Sequence, residues 1–139
     1  MAEDTFLVHT THIPLRWSDF DRFGHLSNAR YIEIAQEARQ IFGDEEFKER
    51  ALEVPAMFVR KIDISYDRAI LPNTTSVKVV TTVTKVGNTS LTTSQELFDV
   101  EDNCCAVLEA VQVVIDTVMH SPRPITDMER KVMLGQLPR

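Results

Sequence analysis

Reactive side chains concentrate in one stretch, Trp17 to Asn28, where Asp19 and Asp21 supply carboxylates, His25 an imidazole and Asn28 an amide around Gly24. Taken singly, these residues have ordinary uses: aspartates shape turns, glycine relieves an unusual backbone angle, and a histidine sits satisfied at a surface or in a core. Placed together between a strand and a helix start, they suit more specific chemistry. Unpaired N–H groups and the positive end of the helix dipole stabilise negative charge there. A reaction in which an oxygen gains charge would benefit, with a nearby carboxylate attacking a carbonyl or deprotonating water.

Hydrophobic spacing predicts the elements that position this stretch. Ile13, Leu15 and Trp17 alternate over His12 to Trp17, which reads as a short strand ending at Ser18-Asp19. From Asn28 onward, Tyr31, Ile34, Ala35, Ala38, Ile41 and Phe42 recur at three- and four-residue steps, predicting one helical face, with Glu33, Gln36, Glu37 and Gln40 opposite. Ser27 or Asn28 is the expected capping oxygen, and Gly43 the expected closing residue. The acidic run Asp44-Glu45-Glu46 reads as a solvated surface.

The rest reads as strands. Phe58 to Asp67 alternates until Pro72-Asn73 breaks the pattern, and Ser76–Val86 and Thr89–Val100 form a hairpin about Gly87-Asn88. Cys104–Met119 is apolar on both faces, as in a covered sheet. Thr126 is placed to cap a short last helix with Glu129 three residues on. One strand, one long helix and a run of antiparallel strands make an α+β layout, and residues 1–139 are expected to form a single domain.

Composition narrows the function classes. A net charge of −6 argues against nonspecific nucleic-acid binding, and any anionic ligand needs a local basic patch. No apolar run approaches the roughly 20 residues that span a bilayer, so no membrane partner is expected. Met1 to Thr11 lacks the pattern of a secretory signal, which makes the cytoplasm the expected compartment. Cys104 and Cys105 are adjacent in an apolar run and read as reduced core residues. No His/Cys cluster has metal-ligand spacing and no Gly-rich phosphate loop is present, so neither metal nor organic cofactor is expected.

The constellation resembles the hotdog-fold acyl-CoA thioesterases, specifically the branch similar to 4-hydroxybenzoyl-CoA thioesterase. Many members carry Asp, any residue, Asp, two residues, Gly, His, a small apolar residue, Asn-Asn, two residues, Tyr, and later Glu-x-Ala-Arg. The corresponding positions are Asp19, Asp21, Gly24, His25, Leu26, Ser27-Asn28, Tyr31 and Glu37-Ala38-Arg39, with Ser27 replacing the first Asn and Glu37 directly adjoining Ala38. Tyr66, Arg68, Pro72, Val86-Gly87, Ser90 and Arg123-Pro124-Ile125 extend the likeness along nearly the whole chain.

The resemblance implies an antiparallel sheet wrapped around one long central helix, and a homodimer or dimer of dimers with active sites at subunit interfaces. It implies hydrolysis of a fatty or aromatic acyl-CoA to free acid and CoA. Asp21 matches the essential carboxylate, as nucleophile or general base, and Asp19 a more structural position. The backbone N–H of Gly24, or of a neighbour at the helix start, matches the group that polarises the thioester carbonyl. His25 orients the carboxylate or water, or assists proton transfer. Asn28 and Tyr31 bind water or line the acyl pocket, Tyr31 also reading as core. Arg60, Lys61, Arg68 and Lys85 are candidate partners of the CoA phosphates.

Three alternatives remain at this level. Similar plant acyl-carrier-protein thioesterases place an Asn where this chain has Phe23, which leaves the acyl carrier open. Hydratases of the fold space Asp and His five apart with Asn-Pro between, unlike Asp21 and His25. A noncatalytic acyl-thioester-binding protein would carry the same motif.

Overall fold

The computed structural model describes residues 6–138. Its strands are β1 (Val8–Pro14), β2 (Met57–Tyr66), β3 (Ser76–Val86), β4 (Ser90–Phe98), β5 (Cys104–Asp116) and the two-residue β6 (Ser121–Pro122). Two helices accompany them, α1 (Asn28–Lys48) and α2 (Asp127–Met133). The strands form one antiparallel sheet in the order β1-β3-β4-β5-β2, with β6 pairing the end of β5. Helix α1 lies across β1, β3, β4 and β5, the arrangement expected of a hotdog fold. No helix among the described residues is long and apolar enough to cross a membrane.

The predicted helical face is the buried one. Tyr31, Ile34, Ala35, Ala38 and Phe42 are buried, and Ile41 packs at the margin of the core. The core divides along the helix, with Tyr31 and Ile34 meeting Ile13, Val77, Val79 and Leu97, and Phe42 meeting Val83, Leu91 and Met133. Burying Ile34, Phe42 and Phe47 contributes roughly 5–9 kcal/mol gross, at about 1.5–3 each. That is enough to hold a long helix on a sheet.

The main departures from expectation have local reasons. Strand β1 covers Val8–Pro14 rather than His12–Trp17; its pairing with β3 ends at Pro14↔Ser76, and a single 3-10 turn, Trp17–Asp19, follows. Trp17 is therefore 88% exposed instead of lying in a strand. Ser27 does precede α1, yet its side chain makes no capping hydrogen bond. Strand β5 stops at Asp116, whose Oδ1 accepts the N–H groups of Val118 and Met119 at 2.9 Å each and so turns the chain.

The largest departure is at the end of α1. Gly43 does not close the helix, which continues to Lys48. A side-chain carbon at Gly43 would sit 3.0 Å from Val54 Cγ1, so this glycine lets the returning chain lie close. The acidic run is correspondingly only partly solvated. Asp44 is exposed, but Glu45 Oε1 lies 2.7 Å from His9 Nε2 on β1, and Glu46 is fully buried, 3.0 Å from Arg50 Nη1.

Other expectations hold. Thr126 Oγ1 accepts the Glu129 N–H at 3.1 Å while Glu129 Oε1 accepts the Thr126 N–H at 2.9 Å, the reciprocal cap of α2. Cys104 and Cys105 are free thiols, and burial pushes the Cys105 thiol up to about 11, which suits an inert core residue.

Phe47 is 1% exposed in the extension of α1 beyond Gly43. Phe47→Ala is expected to destabilise the protein by about 3–5 kcal/mol in urea unfolding. A loss below about 1 kcal/mol, as on a solvated segment, would contradict the packing of this last turn.

Candidate active site

The chain from Pro14 to Asn28 crosses from sheet to helix, and Asp19 fixes the crossing. Its carboxylate is 5% exposed; Oδ2 accepts the Arg16 N–H at 2.7 Å, and Oδ1 accepts Arg16 Nη2 at 3.1 Å with Arg30 Nε 3.3 Å away. The Asp19 carbonyl accepts the Ser27 N–H at 3.0 Å. One residue thereby joins the start of the crossing, its end and the first turn of α1. Burial raises the Asp19 carboxyl, but Arg16's N–H and guanidinium and the charge of Arg30 hold it below its ordinary value.

Within this frame residues 21–25 form a tight turn. The Asp21 N–H donates to the His25 carbonyl at 2.8 Å, and the Gly24 N–H to the Asp21 carbonyl at 3.0 Å. Asp21 Oδ1 accepts the N–H groups of Phe23 at 2.9 Å and His25 at 3.1 Å. Among the described residues Oδ2 has no donor, and the side chain is exposed. Gly24 has φ +77°, a left-handed conformation that costs other residues roughly 1–2 kcal/mol. Nothing lies within 4 Å of where its side-chain carbon would be, so torsion rather than space requires the glycine.

Helix α1 begins just beyond. Its first two N–H groups, from Asn28 and Ala29, receive no cap from Ser27 and have no acceptor among the described residues. The Asn28 carbonyl accepts the Tyr66 hydroxyl at 3.0 Å, which ties the helix start to the end of β2. Tyr31 is 3% exposed; its hydroxyl accepts the Ile70 N–H at 3.1 Å, and its ring meets Tyr66 edge-on at 5.0 Å.

The residues expected to act together fall into two adjoining pockets. Asp21 and Gly24 line one of about 600 Å³, with Trp17, Phe20 and Pro72 as apolar walls and Arg16 and Arg22 also lining it. His25, Asn28 and Tyr31 line a second of about 250 Å³ with Tyr66 and Arg68. Arg60 lines neither. It is exposed on β2 where the register with β5 shifts, between Val59 and Lys61. Arg16 and Arg30, the partners of Asp19, had no assigned role in the sequence. Their signal was a pair of cations flanking an aspartate, which becomes specific only once the chain has turned. Among the described residues no group of three His, Cys, Asp or Glu side chains is placed to hold a metal ion.

The sequence profile of the thioesterase-like superfamily matches residues 15–133, nearly the whole chain and all of this crossing. The chain belongs to the thioesterase-like superfamily. Membership makes it a thioester hydrolase. Solved structures agree in fold. A protein from Bacillus stearothermophilus described as a predicted thioesterase has TM-score 0.81 and 23% identity, covering 96% of this chain and 98% of its own. A thioesterase from Thermus thermophilus, solved in complex with coenzyme A and Zn, has TM-score 0.78 and 22% identity over 92% of this chain and 98% of its own. A 1,4-dihydroxy-2-naphthoyl-CoA thioesterase from Synechocystis has TM-score 0.74 and 13% identity over 91% and 95%. Among curated proteins none matches significantly. In this superfamily member the fold is thus the hotdog fold expected from the motif.

The depressed Asp19 carboxyl predicts a pH signature. Its contribution is present above the unfolded aspartate value of about 3.9 and is lost as pH falls through its lower folded value. Asp19→Asn is expected to cost about 1.5–3 kcal/mol near neutrality. Urea unfolding across pH should show this difference narrowing below about pH 4. A difference that widened with acidity would refute the ion-pair account.

Proposed function

We propose that this chain hydrolyses a fatty or aromatic acyl-CoA to free acid and CoA, with Asp21 as nucleophile or general base. The observation that carries the reading is the state of the Asp21 carboxylate. One oxygen is oriented by two backbone N–H groups and, among the described residues, the other has no donor; the turn is exposed and lies beside a helix start whose first two N–H groups have no acceptor among those residues. That combination supplies an attacking or proton-accepting oxygen and donors for a developing oxyanion.

As nucleophile, Asp21 Oδ2 adds to the thioester carbonyl carbon. The C–S bond breaks as the oxyanion collapses, CoA leaves as thiolate, and water hydrolyses the resulting anhydride. As base, Asp21 takes a proton from water, whose oxygen adds to the same carbon; collapse of the oxyanion breaks the C–S bond, the free acid forms, and the proton held by Asp21 is available to the departing CoA thiolate. Because the Gly24 N–H is engaged by the Asp21 carbonyl, Asn28 and Ala29 are the favoured oxyanion donors and Gly24 shapes the turn. The Tyr66 hydroxyl on the Asn28 carbonyl steadies that end of the helix. His25 shares the adjoining pocket with Asn28 and Tyr31, and in this reading it orients the water or assists proton transfer.

The carrier is CoA, a choice supported by the relatives solved with coenzyme A or named for a CoA thioester. Arg68 in the smaller pocket, and Arg16 and Arg22 in the larger, are better placed for its phosphates than Arg60.

The same reading makes the chain a homodimer or dimer of dimers. Strand β2 is a ten-residue edge strand carrying partly exposed Phe58, Val59 and Tyr66, and a free apolar edge of that length favours pairing with another strand.

A thiol-release assay at saturating acyl-CoA tests the chemistry. Asp21→Asn is expected to lose at least about 100-fold in kcat, whereas folded Asp19→Asn keeps most of its turnover. Near-normal turnover in Asp21→Asn would remove the residue from the mechanism, and wild-type protein that binds acyl-CoA without releasing thiol would establish a binding protein instead. Light scattering at assay concentrations should give a dimer or tetramer. An active monomer would contradict the assembly.

A further inference from the structure

Strand β2 is the open edge of the sheet beyond β5, and its backbone defines how a second copy of the chain fits against it. In an antiparallel ladder successive residues point their N–H and C=O groups alternately toward one neighbour and the other. The Asp67 N–H donates to the Cys105 carbonyl at 2.8 Å and the Ile115 N–H to the Ala56 carbonyl at 2.9 Å, which sets the alternation at both ends of β2. Carried inward across the register shift between Val59 and Lys61, it leaves Met57, Val59, Ile62, Ile64 and Tyr66 with their backbone groups toward the open edge. This set is symmetric about Ile62. When β2 meets a second β2 antiparallel with Ile62 opposite itself, Val59 falls opposite Ile64 and Met57 opposite Tyr66, and every edge-facing group gains a partner. The extra residue at Arg60 creates the symmetry, because without it Met57 and Val59 would turn their groups toward β5.

The side chains fit the same register. Met57 and Val59 lie on the α1 side, Ile62 and Ile64 pack beside Ala35 and Leu108, and Tyr66 reaches Asn28, so apolar residues meet on that face. Lys61 and Asp63 are exposed on the other face. Asp63 stands directly opposite Glu109 of β5, a destabilising pair of like charges, and among the described residues no cation pairs with either. With Ile62 at the centre, Lys61 of each copy arrives opposite Asp63 of the other and relieves that repulsion. A register centred on Lys61 or Asp63 would set like charges against each other, and one centred on Ile64 would leave Met57 and Val59 facing residues beyond the strand.

We propose that two copies pair through β2 with Ile62 on the twofold axis, and that Met57 of each copy completes the other's pocket at His25, Asn28 and Tyr31. Tyr66 is the wall of that 250 Å³ pocket on which Met57 of the second copy comes to rest. The inference rests on the two-copy assembly of the preceding reading, for which it gives the register and the residue contributed across the axis; it does not depend on Asp21.

Sedimentation of the full chain at low salt tests the charges. Lys61→Asp sets carboxylates opposite Asp63 on both sides of the axis and is expected to weaken the dimer about tenfold. Exchanging the pair, with Lys61→Asp and Asp63→Lys in one chain, should restore it. Disulfide trapping tests the contact at the site. Met57 and Tyr66 lie roughly 30 Å apart along one strand, whereas residues directly opposed across a ladder come within disulfide reach. Met57→Cys co-expressed with Tyr66→Cys, one copy tagged, should give a mixed disulfide dimer above the background that wild-type Cys104 and Cys105 set, and neither variant should link to itself. A wild-type dimer with no recovery on charge exchange, or no mixed disulfide, overturns the register while leaving the assembly in place. A wild-type monomer overturns both. Neither readout uses turnover, so a failure of the proposed hydrolysis would be seen separately.

Discussion

The buried carboxylate of Asp19 is the constraint on which the crossing from sheet to helix depends. Removing a carboxylate from water is costly, and it persists in a protein only when donors and charge replace the lost hydration. Arg16 does so from before the turn and Arg30 from within the helix, so satisfying one side chain fixes both ends of the crossing. The main chain adds Ser27 N–H to the Asp19 carbonyl and Leu26 N–H to the Ile70 carbonyl, at 3.0 and 2.9 Å. With its ends held, the short turn at Asp21 has little freedom in how it presents its carboxylate. The motif's two aspartates thus differ in setting: the buried one holds the crossing together and the exposed one presents its carboxylate on the turn.

A second polar line runs through the middle of the protein. Gln95 on β4 reaches Thr81 on β3 and both the backbone and Arg39 of α1, beneath a helix otherwise packed on aliphatic residues. Sliding α1 by one turn would leave this buried amide unsatisfied, so the network specifies the helix's position more sharply than apolar packing does. Hydrophobic burial holds helix and sheet together, and these few polar contacts decide which residues face which pocket.

Much of the fold was legible because it follows periodicity. The step pattern of Tyr31 to Phe42 named the buried face of α1, and the Val- and Thr-rich segments named β3 and its hairpin partner. The errors lay where a single side chain overrides the pattern. Trp17 fits an alternating strand on paper, but Asp19 draws Arg16 into a turn and swings the indole outward. Gly43 resembles a helix end, yet its lack of a side chain serves close packing against Val54. Glu45 and Glu46 look solvated until β1 brings His9 alongside and Arg50 folds back. At the crossing from sheet to helix the motif marked the turn at Asp21 and the helix start, whereas the division of the lining residues between two pockets depends on how residues 66–75 return past the turn. Arg60 shows the same limit: its strand was legible, but its distance from either pocket was not.

Gly24 stands in the left-handed region with open space where a side chain would project. The position is therefore specified by chirality and not by volume. A mirror-image residue such as D-alanine would adopt that torsion without strain and add a methyl group to empty space, while its L-enantiomer, identical in size and polarity, would pull against the turn that aims Asp21. Among the twenty encoded amino acids, handedness can be set aside only by omitting the side chain, and this turn accordingly carries glycine.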